Sequence, residues 1–157
     1  MKKIITILAI FLMSITSIVC QNSYVGQNYD DFFSDMLKTQ DNNGNVLQGL
    51  PKVNYYSDNS YNVTVVFKDY ISIYTFNSNK ICVQIYQFVP CEDKKTRKEI
   101  KKLMGEKFDN FYSKENNIWI ERKTNGIVIE HSVKDIEIEG IKGVSVMSYM
   151  SYLRNLN

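Results

Sequence analysis

Three runs rich in β-branched and aromatic residues follow one another with almost no chain between them: NVTVVF from Asn62, YISIYTF from Tyr70 and KICVQIYQFV from Lys80. The connections are Lys68-Asp69 and Asn77-Ser78-Asn79. A parallel crossover needs about a dozen residues or more, so connections this short allow only antiparallel hairpins. Pro90 closes the third run, because proline has no N–H to give to a ladder. This meander excludes a βαβ fold and arranges the rest of the chain around an antiparallel sheet.

After Pro90, Glu92 and Asp93 stand where acids complement the positive end of a helix dipole. Ile100, Leu103, Met104, Phe108 and Phe111 then recur at helical spacing, with Lys107 snorkelling from the same stripe. Asn116-Asn117 opens a hairpin of residues 118–123 and 127–133 around Thr124-Asn125-Gly126, where Asn-Gly readily supplies positive φ. Residues 135–139 alternate Ile136 and Ile138 with acids, and residues 144–152 read as a last strand. Upstream, Tyr29, Phe32, Phe33, Met36 and Leu37 mark an amphipathic helix. Residues 39–60 read as a polar loop interrupted by a short element near Val53 and Tyr56.

The predicted architecture is therefore α+β: an antiparallel sheet of about six strands, three before the long helix and about three after it, with an additional N-terminal helix. The predicted divisions are a leader at 1–20, an N-terminal helix and polar loop at 21–60, and an α+β sheet domain at 61–157, with 21–157 forming one globular domain. No internal repeat is strong enough to name.

Residues 1–20 read MKKIITILAIFLMSITSIVC, with two lysines, an apolar run over 4–13 and a smaller, partly polar stretch to Cys20. This is the layout of a secretory signal peptide. Ser14, Thr16 and Ser17 interrupt the apolar span short of the ~20 residues a bilayer needs, so no transmembrane helix is expected in the mature chain. Two readings of Cys20 stay open. Cleavage at Cys20-Gln21 suits ordinary signal peptidase, whereas Ser17-Ile18-Val19-Cys20 is a degenerate lipobox that would make Cys20 a lipid anchor. Val19 departs from the small residue such motifs usually carry there. Either way the chain is expected to be exported, to the periplasm, the outer envelope or the medium. The formal charge is +2, and Lys2 and Lys3 supply that excess, so the chain from Gln21 is formally neutral. Neutrality excludes a nucleic-acid binder, whose phosphate contacts need a basic surplus.

Candidate chemistry is sparse. His131 is the only histidine, which excludes any constellation needing two, and it shares a strand face with Ile127, Ile129 and Val133, as a structural histidine would. Cys91 precedes a helix N-terminus, where a thiolate is favoured, but Glu92 and Asp93 oppose the effect. Cys82 and Cys91 invite a disulfide in an exported chain, yet a continuous strand between them spans roughly 25 to 30 Å against a ~7 Å limit, so no bridge is expected. Asp135, Glu137 and Glu139 share one side of an extended segment without the converging loops calcium requires, and no metal or cofactor is expected. Lys94, Lys95, Arg97, Lys98, Lys101 and Lys102 spread around the helix among Glu99 and Glu106, as on a solvated face.

Alternation predicts a two-sided sheet. Val63, Val65, Ile71, Ile73, Ile81, Val83 and Ile85 are expected to form an aliphatic side under the long helix, and Ser72, Tyr74, Phe76, Gln84, Tyr86 and Phe88 an aromatic and polar side opposite. Tyr74, Tyr86 and Trp119 are expected to stay partly exposed as a contact surface for an unknown protein or glycan, since Tyr and Trp join apolar area to a hydrogen-bonding tip. The function so implied is an exported small binding or interaction module of unknown ligand. The alternatives are a secreted enzyme using Cys91 or His131, a structural envelope component, or an inhibitor of another secreted protein. The layout YTFN…KICVQIYQ…VPCEDK…NNIWIERK…GIVIEH behind this leader, with one alanine, Ala9, and abundant Asn, Ile, Lys and Tyr, resembles the small uncharacterised exported proteins of Bacteroidota-type bacteria. That resemblance implies export and carries over no functional residue.

Overall fold

The computed structural model describes residues 24–42, 50–116, 118–123 and 126–152. The leader and Cys20 lie outside the described residues. The elements are α1 (Tyr29–Asn42), β1 (Lys52–Tyr55), β2 (Tyr61–Val66), β3 (Ile71–Phe76), β4 (Cys82–Pro90), α2 (Lys94–Phe111), β5 (Ser113–Glu115), β6 (Ile118–Arg122), β7 (Ile127–Ile138) and β8 (Ile141–Tyr152). All strands belong to one eight-stranded sheet in the order β1-β2-β3-β4-β8-β7-β6-β5, and every pair is antiparallel.

This corrects the expectation of an α+β fold with about six strands: the described residues are mostly β, with two helices against one eight-stranded sheet. The added strands are β1 and β5, four and three residues long. Both sit at the sheet edges with every residue exposed: β1, Lys-Val-Asn-Tyr, occupies the place of the short element expected near Val53 and Tyr56, whereas β5, Ser-Lys-Glu, has no apolar residue to mark it as a strand. The two last strands are also longer than expected, twelve residues each. Glu139 (φ 51°) and Gly140 (φ 82°) form the two-residue turn between them, with Ile138 opposite Ile141. Positive φ at both positions matches the twist of a hairpin.

The order of elements repeats. A helix and a four-strand meander, α1 with β1 to β4, are followed by the same set, α2 with β5 to β8, and the halves meet where β4 pairs with β8. No residue pattern in the two halves announces this.

Pairing register decides which side chains share a side. Lys68-Asp69 is a two-residue turn, with Phe67 N–H donating to Tyr70 O at 2.9 Å, so Val65 falls opposite Ser72 and Val63 opposite Tyr74. Ile71 and Ile73 therefore lie on the other side from Val63 and Val65, which corrects the predicted aliphatic side. A bulge adds a second shift: Phe76 faces Cys82 while Thr75 faces Gln84, leaving Val83 as the extra residue. Cys82 and Ile85 consequently point the same way.

The covered side carries one row through all eight strands: Val53, Val63, Tyr74, Ile85, Ser148, His131, Trp119 and Lys114. Over its β2 to β4 half lies α1, whose Phe32 ring sits 4.5 Å from Tyr74 and 5.3 Å from Phe76. Over its β6 to β8 half lies α2, with Ile100, Met104 and Phe108 fully buried and Leu103 only half-buried. The sequence predicts the long helix over β2 to β4; the structure places it instead on the half whose strands follow it, after a three-residue link of Cys91, Glu92 and Asp93 from the end of β4. Asp93 caps it, accepting from Thr96 N at 2.6 Å, and Arg97 and Lys101 reach Asp135 on β7. No helix among the described residues is long and apolar enough to cross a membrane.

Candidate functional site

The register separates the three aromatic residues expected to act together. Tyr74 and Trp119 lie on the covered row, at 1% and 6% exposure, whereas Tyr86 lies half-buried on the opposite side. Tyr74 is packed under Phe32 and Tyr24, and burial pushes its hydroxyl well above the ordinary tyrosine range. The Trp119 indole N–H donates to Asp109 Oδ1 of α2 at 2.7 Å, and Lys114 Nζ stands 4.5 Å above its ring. The expectation that these residues form one exposed surface is thereby corrected, because two of them hold helices onto the sheet.

The same row brings together a second set of chemical groups. His131 is fully buried, with Nδ1 2.8 Å from Ser148 Oγ and Nε2 3.4 Å from Glu121 Oε2. The Glu121 contact is long for a hydrogen bond, and Nε2 has no other partner among the described residues. Nε2 faces the carboxylate and Nδ1 the hydroxyl, so the ring joins Ser148 to Glu121. The ring stacks on Tyr112 at 4.6 Å and on Phe108 at 5.1 Å. Serine, histidine and carboxylate thus stand in the order of a hydrolytic triad. Ser148 and His131 are both at 0% exposure, however, so a substrate carbonyl has no approach to the hydroxyl. A cavity of about 390 Å³ lies elsewhere, between the β2–β3 turn and Val89 and Pro90.

Glu121 is the one member of this set that reaches the surface. His131 foremost, then Lys123 at 2.5 Å, hold its carboxyl below the ordinary value of 4.5. A depressed folded pKa stabilises above the unfolded pKa and is lost as pH falls through the folded one. Glu121→Gln is therefore expected to cost about 1 kcal/mol near neutral pH, less than a full hydrogen bond to a charged group because the contact is long and the carboxylate partly solvated. The difference from wild type should close in urea titrations repeated below the ordinary glutamate range.

The remaining candidates are occupied or inert. Cys82 and Cys91 are free thiols, and burial raises both, Cys82 to about 12. Cys91 near the helix start is thus not a poised thiolate; Arg97 lowers it less than burial raises it. Asp135 is engaged by Arg97 and Lys101, and Lys102 pairs with Glu106 at 3.6 Å.

Of the residues expected on the side away from the long helix, Gln84, Tyr86 and Phe88 do lie on the uncovered side of the sheet, but most of its apolar members carry no such expectation in the sequence. One row there runs Thr64, Ile73, Tyr86, Met147 and Ser132, and a second runs Val66, Ile71, Phe88, Ser145 and Lys134. A third crosses every strand through Asn62, Thr75, Gln84, Tyr149, Glu130 and Ile120. Ile118, Ile136 and Ile138 extend the apolar surface on β6 and β7. Both helices and the segment at Tyr24 pack on the other side. Charges here are few: Lys52 stands on the β1 edge, Arg122 is paired with Glu115 at 3.0 Å, and Glu130 and Lys134 stand on β7. Val66, Ile138 and Tyr149 are 36%, 40% and 44% exposed. A solvated strand side normally alternates polar residues outward. No protein-family model, curated protein or solved structure matches the chain.

Proposed function

We propose that the chain is an exported binding module whose contact surface is the helix-free side of its sheet. One observation carries this reading: that side places Ile71, Ile73, Tyr86, Met147 and Tyr149 side by side across the central strands, with charge confined to its β7 to β5 end and the β1 edge. Exposed apolar surface of this extent marks an interaction site. The partner class it favours is a protein. A glycan needs an open ring flanked by hydrogen-bonding groups, whereas Tyr86 is half-buried among aliphatic neighbours. Export rests on the leader, Lys2 and Lys3 followed by the apolar run over 4–13. An inhibitor of another exported protein falls within this reading. An enzyme using His131 or Cys91 does not, for one is sealed and the other is held as a thiol.

The test is retention of a defined protein from an envelope extract on immobilised chain. Ile73→Lys should weaken retention tenfold or more without altering the circular dichroism spectrum, because a charge is set at the centre of the surface. Undiminished retention by that variant would move the contact surface elsewhere.

A further inference from the structure

We infer that the helix-free side of the sheet is covered by the same side of a second copy, in a two-fold dimer with its sheets face to face. This rests on the reading of that side as a contact surface and names its occupant.

Size is the first argument. Eight strands at ~4.8 Å spacing, with rows of side chains ~6.8 Å apart along them, present roughly 700 to 800 Å². A stable interface takes about 800 Å² from each partner, so two such sides pressed together match what a dimer needs. Facing sheets pack ~10 Å apart with their strands nearly aligned.

Self-complementarity is the second. A two-fold interface sets one patch against itself. With the axis along the row of Ile73, Tyr86, Met147 and Ser132, every strand lies over its own equivalent, and the rows on either side exchange places. Phe88 of one copy then faces Gln84 of the other, and Ser145 faces Tyr149. On β7, Glu130 and Lys134 flank Ser132 by two residues each, so Lys134 of one copy meets Glu130 of the other, twice. Glu130 and Lys134 are thus of opposite sign and placed symmetrically about the axis, while Lys52 stands apart at the exposed β1 end of the axis row. Arg122 brings its own counter-ion, Glu115.

Sedimentation velocity on the purified protein tests the inference. At micromolar concentration the wild type should sediment as a dimer, and Ile73→Lys as a monomer with an unchanged circular dichroism spectrum. Glu130→Lys sets like charges against each other and should weaken the dimer tenfold or more. The double variant Glu130→Lys with Lys134→Glu should restore it, which a merely destabilised sheet would not do. A wild type that stays monomeric at tens of micromolar overturns the dimer, as does a dimer indifferent to Ile73→Lys. If the wild type is monomeric yet Ile73→Lys abolishes retention of another protein, the second copy is the wrong occupant and the contact surface stands. If Ile73→Lys changes neither measurement, both fail.

Discussion

Replacing Gly143 with alanine is expected to lower stability by ~3 kcal/mol or more, at the upper end of what overpacking costs. Gly143 pairs with Pro90 where β8 crosses β4. A Cβ there would lie 2.5 Å from the carbonyl oxygen of Val89 and 2.7 Å from Phe88 Cζ. The first of these atoms is backbone in the central pair of strands, so relief requires that pair to part. The second is a ring at 6% exposure lying over the glycine, with little room to turn away. Gly105→Ala is the control, because its Cβ would meet Trp119 Cζ2 at an ordinary 3.6 Å. In a helix that change should gain up to about 1 kcal/mol. Urea denaturation of both variants checks the pair, and a Gly143→Ala protein as stable as wild type would mean that β4 and β8 approach less closely than described.

Phe108→Ala is expected to cost ~3 to 5 kcal/mol, the usual range for removing a fully buried phenylalanine. Its ring lies 5.3 Å from Trp119, 5.1 Å from His131 and 5.9 Å from Tyr112, so the loss opens a space among aromatic groups that all hold α2 to the sheet. Trp119, the only tryptophan, reports on it directly. In the wild type, acrylamide should quench its fluorescence poorly, since the indole is buried. In Phe108→Ala quenching should rise along with the loss of stability. A destabilised variant with an unchanged Trp119 environment would show that the two rings do not share one packing unit.

Much of this arrangement is written in the chain at short range. The two-residue Lys68-Asp69 connection alone pairs Val63 with Tyr74; grouping residues by type instead put Val63 with Ile73 and turned the inner aromatic residues outward. Burial of His131 follows from its alternation with Ile129 and Val133. Its partner was also within reach: counting back equally on both strands from the Glu139-Gly140 turn sets His131 opposite Ser148. Glutamate rarely adopts positive φ, so Glu139-Gly140 is a weak turn signal in sequence. Other features have no local mark. The bulge at Val83 contains no glycine, and β5 owes its strand character to the neighbour it pairs with. The helix-free side could not be recognised until both helices were placed on the other one.

The pairing of β4 with β8 has a consequence for how the protein reaches this state. Every other strand pair joins neighbours along the chain, so each half can form its meander from nearby contacts alone. Joining β4 to β8 means closing a loop that holds α2 and β5 to β7, an entropic cost that local hairpins escape. Topologies of this kind fold slowly at their longest-range step. Until that step is taken, β4 and β8 are open edges of two half-sheets, each able to accept a strand from another chain. The interval before the halves join is therefore when misassembly competes, and exchange of halves between chains is the form it would take.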